Sequence, residues 1–178
     1  PGSGGTQTAG LAFGGNKSPG GVLSNDTEHY DGTSWTGSGN LGTARVYLGG
    51  AGTQTAGLGF GGFITANTAV TEEYDGSSWT AGGSLNTTRA RVAGCGVQTS
   101  AIAFGGLTPA SPAYTAVTEQ YDGTSWSNTT SMTTARRSPG GAGITSAGIC
   151  FGGNAPPHTT ATEEFTGAGS VTVTIDPV

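Results

Sequence analysis

Charge is scarce in this chain. Asp, Glu, Lys and Arg make up only 10% of its 178 residues, with six Lys and Arg against eleven Asp and Glu, for a net charge of −5. The few cations are scattered, so the basic stripe that holds nucleic acid is missing and no nucleic-acid partner is expected. Long apolar runs are missing too: none approaches the roughly 18 residues that a spanning helix needs, so no membrane insertion is expected. No charged-then-apolar leader opens the sequence. Cysteine is limited to Cys95 and Cys150, too few for a disulfide framework and without the CxxC spacing of metal or redox sites; their redox state stays open. Hydrophobic residues reach only 33% while Gly alone contributes 35, which excludes a helix bundle built on Leu, Glu and Lys.

Low hydrophobicity with so much Gly, Ser and Thr would permit disorder, but disordered chains do not place Trp, Tyr and Phe at regular intervals. Here they are regular. The segment TQTAGLAFGG (Thr6 to Gly15) returns as TQTAGLGFGG (Thr53 to Gly62), VQTSAIAFGG (Val97 to Gly106) and ITSAGICFGG (Ile144 to Gly153). Its aromatic residues, Phe13, Phe60, Phe104 and Phe151, are spaced 47, 44 and 47 residues apart. Between the copies stand EHYDGTSW (Glu28 to Trp35), EEYDGSSW (Glu72 to Trp79), EQYDGTSW (Glu119 to Trp126) and a decayed EEFTGAGS (Glu163 to Ser170). Arg45, Arg89 and Arg136 follow ten residues after each Trp. A period in this range marks a repeat architecture.

Each unit reads as four short strands. AGLAFGG alternates, Leu11 and Phe13 on one face and Gly10 and Ala12 on the other, as a strand on a packed surface does. AVTEEYDG alternates likewise, and its Asp-Gly predicts a tight hairpin into the strand that carries Trp79. The opening strand is almost bare: LGGAG (Leu48 to Gly52), AGCG (Ala93 to Gly96) and PGGAG (Pro139 to Gly143).

An Arg, a glycine pair after an apolar strand, then Glu-x-Tyr-Asp and Trp resembles the kelch repeat along essentially the whole chain. The resemblance implies an all-β, four-bladed β-propeller of four-stranded antiparallel blades, a single domain over residues 1–178 with blades near 1–40, 45–84, 89–131 and 136–178. It also implies that the Gly/Ala strand is innermost, where small side chains suit a narrow ring. The near-verbatim wording of the units is similar to that of repeat-rich kelch-like proteins of tailed, especially marine, phages.

The registered residues read as structure. Glu28, Glu72, Glu119 and Glu163 lie two residues before the blade aromatics Tyr30, Tyr74, Tyr121 and Phe165 and share their face, so each carboxylate needs a partner, which Arg45, Arg89 and Arg136 would supply. Trp35, Trp79 and Trp126 are expected in the core between blades. Asp31, Asp75 and Asp122 are hairpin residues before they are calcium ligands. The cysteines fill positions that are Ala or Gly in other units and read as small core residues. His29 and His158 assemble into nothing, and YDGTSW lacks the residue between Asp and Gly that a sialidase Asp-box requires. No catalytic residue, metal or cofactor is therefore expected.

The loops after the Gly pairs differ in length and chemistry, and are expected on the face that also carries the connections between blades. That face would gather Lys17, Phe63, Tyr114 and His158 with Asn40, Asn86 and Asn128, a mixture suited to a glycan or a protein. At the ends, Pro1 aligns with Pro139, so a further Arg is due three residues ahead of it, two residues lying between, and SVTVTIDPV (Ser170 to Val178) is expected to form a closing outer strand. Four blades would then close as a ring or end a longer protein, the Gly-lined inner strand favouring closure. The expected function is a non-enzymatic structural or adhesive module of a phage particle or other extracellular assembly, contacting other subunits or a host-surface protein or glycan. A carbohydrate-binding lectin is the alternative, with a glycan hydrolase or oxidase third.

Overall fold

The computed structural model describes residues 1–17, 21–110, 113–155 and 158–167 and the strand Ser170–Val173. Residues 18–20, 111–112, 156–157, 168–169 and 174–178, the last of these part of the expected closing strand, lie outside the described residues. All regular structure is β, in four antiparallel four-stranded sheets arranged as a four-bladed β-propeller. Blade 1 holds β1 (Gly2–Thr6), β2 (Ala9–Lys17), β3 (Val22–Tyr30) and β4 (Trp35–Ser38). Blade 2 holds β5 (Gly49–Gly52), β6 (Gly57–Phe60), β7 (Thr71–Tyr74) and β8 (Trp79–Ala81). Blade 3 holds β9 (Ala93–Val97), β10 (Ser100–Phe104), β11 (Thr118–Tyr121) and β12 (Trp126–Thr129). Blade 4 holds β13 (Gly140–Ile144), β14 (Ala147–Phe151), β15 (Thr162–Phe165) and β16 (Ser170–Val173). In every blade the strands pair in chain order.

The first strand of each blade is the inner one, as the bare Gly/Ala segments predict: β1 packs on β5, β5 on β9 and β9 on β13. The approach is too close for side chains. A methyl group on Gly50 would come within 2.4 Å of the Ser3 carbonyl oxygen, and one on Gly94 within 2.3 Å of the Phe60 ring. The Asp-Gly segments form the expected hairpins, each closed by a four-residue loop. Tyr74 pairs with Trp79, leaving a four-residue loop in which Asp75 N–H donates to Ser78 O (3.1 Å) and Asp75 Oδ1 accepts from Ser77 N and Ser78 N (both 2.8 Å). The carboxylate builds the turn, and the same contacts recur at Asp31 and Asp122.

Blades are joined by aromatic pairs and buried ion pairs. Phe13 meets Trp79 at 4.7 Å between ring centroids and Phe60 meets Trp126 at 4.9 Å, and the two indoles donate to Thr27 Oγ1 (2.9 Å) and Thr71 Oγ1 (3.0 Å) of the preceding blade. At the third junction Phe104 and Phe165 share a cluster with Cys95, Cys150 and Met132, both cysteines buried as small core residues. Arg45, Arg89 and Arg136 are fully buried and pair with Glu72 (3.2 Å), Glu119 (3.1 Å) and Glu163 respectively. Burial pulls the Arg45 and Arg89 guanidinium groups down to about 10, with Glu72 and Glu119 opposing that pull, so both remain charged at neutral pH.

Two expectations fail at the ends of the arc. Trp35 is 50% exposed instead of lying between blades, because among the described residues no blade packs against that side of blade 1; its ring rests on its own blade, 5.1 Å from the Tyr30 ring. Phe151, the residue that a fourth aromatic pair would use, is 43% exposed on blade 4. Among the described residues, no contact comparable to those of the other three inner-strand pairs joins β13 back to β1. Glu28 is exposed for the same reason and makes no ion pair among the described residues.

Candidate functional site on the loop face

The segments that carry the chain from one blade to the next are tied to the loops after the Gly pairs by isolated antiparallel bridges. Val46 pairs with Phe63, Ala90 with Leu107 and Arg137 with Asn154. One residue after Val46, Ala90 and Arg137, the chain adopts a left-handed conformation at residues that are not glycine: Tyr47 (φ 59°), Arg91 (φ 56°) and Ser138 (φ 50°). Such a conformation costs an L residue about 1–2 kcal/mol and persists where neighbours fix it. Here the neighbours are each other, since Arg91 N–H donates to Tyr47 O (2.7 Å) and Ser138 N–H to Arg91 O (2.8 Å). The three connections therefore form a chain across the blades and hold their side chains in one patch.

Tyr47, Phe63, Asn67, Ala90, Arg91, Leu107 and Arg137 line a pocket of about 250 Å³ in this patch. The Arg91 guanidinium lies 3.8 Å above the Tyr47 ring, and that of Arg137 lies 5.5 Å from the Tyr114 ring, so both cations are set by aromatic faces. Tyr114 is held in turn by its hydroxyl, which donates to Asn154 Oδ1 (2.9 Å), and Asn67 Nδ2 donates to Leu107 O (2.9 Å). Tyr47 and Phe63 remain 40% and 36% exposed. A pocket with two guanidinium groups and two exposed rings can take an anionic group by paired hydrogen bonds and cover an adjoining apolar face by stacking.

Of the residues singled out in the sequence, the structure brings Phe63 into this pocket, and Tyr114 and His158 beside it, His158 lying 3.1 Å from Asn154 Nδ2. It does not bring the others. Lys17 belongs to blade 1, where its Nζ meets Asp26 Oδ2 at 2.8 Å. Asn86 is occupied by structure, its backbone N–H donating to Glu119 (2.6 Å) and its side chain to Trp126 O (2.8 Å). Asn128 stands on β12, opposite Glu119, and Asn40 is exposed in the connection after β4. Sequence reasoning missed Tyr47, Asn67, Arg91 and Arg137. The signal was there in the cations: Arg91 and Arg137 are the arginines that do not fall in the repeated Arg register.

Among the described residues no group of three or more His, Cys, Asp or Glu could hold a metal ion. Compared with known proteins, the chain matches no family model and no curated protein.

Proposed function

We propose that this chain is a kelch-type adhesive module that acts by binding and not by catalysis, and that its loop-face pocket takes an acidic group, foremost the carboxylate or sulfate of an anionic glycan. One observation carries the reading. Of the six cationic side chains, Arg45, Arg89 and Arg136 are buried in ion pairs and Lys17 is paired with Asp26, while among the described residues Arg91 and Arg137 both line the pocket and meet aromatic rings instead of carboxylates. In a chain of net charge −5, that places the uncommitted positive charge at one aromatic-rimmed spot. The near-verbatim repeats, similar to those of kelch-like phage proteins, support a place on a virion or another extracellular assembly.

The test is binding of defined oligosaccharides by calorimetry, comparing oligogalacturonate and sulfated fragments with neutral dextran oligomers. Saturable binding of the anionic series, lost in Arg91→Ala/Arg137→Ala and weakened by added salt, supports the reading. Equal binding of neutral oligomers, or binding unchanged in the double variant, overturns it.

A second reading, an assembly subunit, is favoured by the uncovered aromatic faces of blades 1 and 4, which carry Trp35 and Phe151. Sedimentation at rising concentration separates the two: association abolished by Trp35→Asp belongs to this reading and leaves the pocket untouched.

A further inference from the structure

Three blades bury a guanidinium in the same cradle. In blade 2, Arg45 Nη1 donates to the carbonyls of Gly61 (3.0 Å) and Val70 (2.6 Å), and Nη2 donates to Gly59 O (3.3 Å) and Glu72 Oε1 (3.2 Å). Blade 3 repeats this with Arg89 on Gly105 O (2.8 Å), Val117 O (2.6 Å) and Ala103 O (3.3 Å) and on Glu119 (3.1 Å). Blade 4 does so with Arg136 on Gly152 O (3.1 Å), Ala161 O (2.7 Å) and Glu163. Two or three carbonyls and a carboxylate surround each planar guanidinium fork, a geometry that an ammonium group does not match.

Blade 1 has the same cradle in its backbone. Ala12 pairs with Glu28 as Gly59 pairs with Glu72 and Ala103 with Glu119. Gly14 and Gly15 turn at φ 64° and 105°, matching 63° and 109° at Gly61 and Gly62. By this register the carbonyls of Ala12, Gly14 and Asp26 and the carboxylate of Glu28 are the counterparts of the blade 2 acceptors. All four residues line a cavity of about 250 Å³. Lys17 also lines it, but its side chain is 56% exposed and its ammonium sits on Asp26, not on Glu28. Glu28 itself is exposed, whereas Glu72, Glu119 and Glu163 are at most 5% exposed beneath their arginines.

We propose that the blade 1 cavity is a receptor site for an arginine side chain, presented by a peptide segment in which an apolar residue stands four positions before the arginine. The segment is defined by what enters the other three cradles: LGTAR (Leu41 to Arg45), LNTTR (Leu85 to Arg89) and MTTAR (Met132 to Arg136). In each, the backbone N–H three residues before the arginine also donates to the same glutamate, Gly42 to Glu72 (2.6 Å), Asn86 to Glu119 (2.6 Å) and Thr133 to Glu163 (2.5 Å). The peptide therefore offers Glu28 two donors, the guanidinium and one amide. A charge-assisted pair of this kind is stronger than a neutral hydrogen bond and is specific for arginine over lysine. The arginine can arrive on a separate chain or from residues joined ahead of Pro1, and the chemistry of the cavity is the same for both.

The experiment uses the full chain and a peptide copying residues 131–138, followed by fluorescence anisotropy and thermal melting. A control peptide carries glutamine in the place of Arg136, and a fused form carries the segment joined ahead of Pro1, with its arginine three residues before Pro1 as Arg136 is before Pro139. Free peptide is expected to bind and to raise Tm by about 2–4 °C or more. The glutamine peptide is expected to bind at least about tenfold more weakly, and Glu28→Gln to abolish the gain measured against its own baseline. Binding by the free peptide with no effect of the fusion assigns a separate chain as the source. A fusion that raises Tm and excludes free peptide assigns the joined segment. The proposal is overturned if neither form changes Tm, if glutamine serves as well as arginine, or if Glu28→Gln keeps the full gain.

Discussion

Trp126 packs edge-on against Phe60 of the preceding blade, ring centroids 4.9 Å apart and only 5% of the indole residue exposed, while its repeat counterpart Trp35 is 50% exposed and, among the described residues, packs on its own blade. Identical local sequence thus yields two energetic roles, decided by whether a neighbouring blade is present. Truncating Trp126 to Ala removes a buried ring and orphans the Thr71 hydroxyl that its indole N–H meets, and should cost about 3–5 kcal/mol. For a domain of this size that lowers Tm by roughly 6–20 °C. Trp35→Ala should cost less than about 1 kcal/mol. Paired thermal melts check the contrast, and equal losses at the two positions would show that blade 1 has a covered face in solution.

The cysteines test the packing of the third junction. Burial pushes the Cys95 thiol up to about 11 and the Cys150 thiol up to about 12, with Glu163 adding to and Arg136 opposing the rise at Cys150. The nucleophile is the thiolate, so both groups should be inert toward a thiol reagent such as Ellman's at about pH 8, where an unperturbed cysteine reacts readily. Addition of guanidinium chloride should release both at once, with the unfolding transition. Rapid stoichiometric reaction of the native chain would mean that the cluster of Phe104, Phe165 and Met132 opens on the timescale of the assay.

The blade plan was legible because its signals are local: the alternation of Leu11 and Phe13, the Asp75 turn and the glycine strands each act within a few residues of themselves. The Arg–Glu pairs were legible because a buried carboxylate in register with a cation leaves few other arrangements. The exposure of Trp35 and Glu28 was not, since both depend on what stands beside blade 1 and not on blade 1 itself. Nor was the pocket. Arg91 and Arg137 meet there because left-handed turns at Tyr47 and Arg91 link three connections that are more than 40 residues apart in sequence. Lys17 shows the converse, a cation assigned to that face which is captured within its own blade by Asp26 on the neighbouring strand β3.

Acid should weaken the propeller through its hairpins. The Asp75 carboxylate accepts hydrogen bonds from the Ser77 hydroxyl and from the amides of Ser78 and Ser77, which hold it well below the usual carboxylate range; Asp31 is held down by Thr33 and Ser34 in the same way. A carboxyl whose folded pKa lies below its unfolded value of about 3.9 adds stability that is fully present above that value and is lost as pH falls toward the folded pKa. These groups are exposed, so each contribution is modest and their effect is additive across three turns. The denaturant midpoint of the native chain should therefore exceed that of Asp31→Asn/Asp75→Asn/Asp122→Asn at about pH 6, and the gap should narrow progressively as pH falls from about 4 toward about 2, where the carboxyls protonate in the unfolded chain while those of the folded turns still resist it. A gap that stays constant across that range would show that the turns are held by their backbone bonds and glycines, with the carboxylate charge contributing nothing.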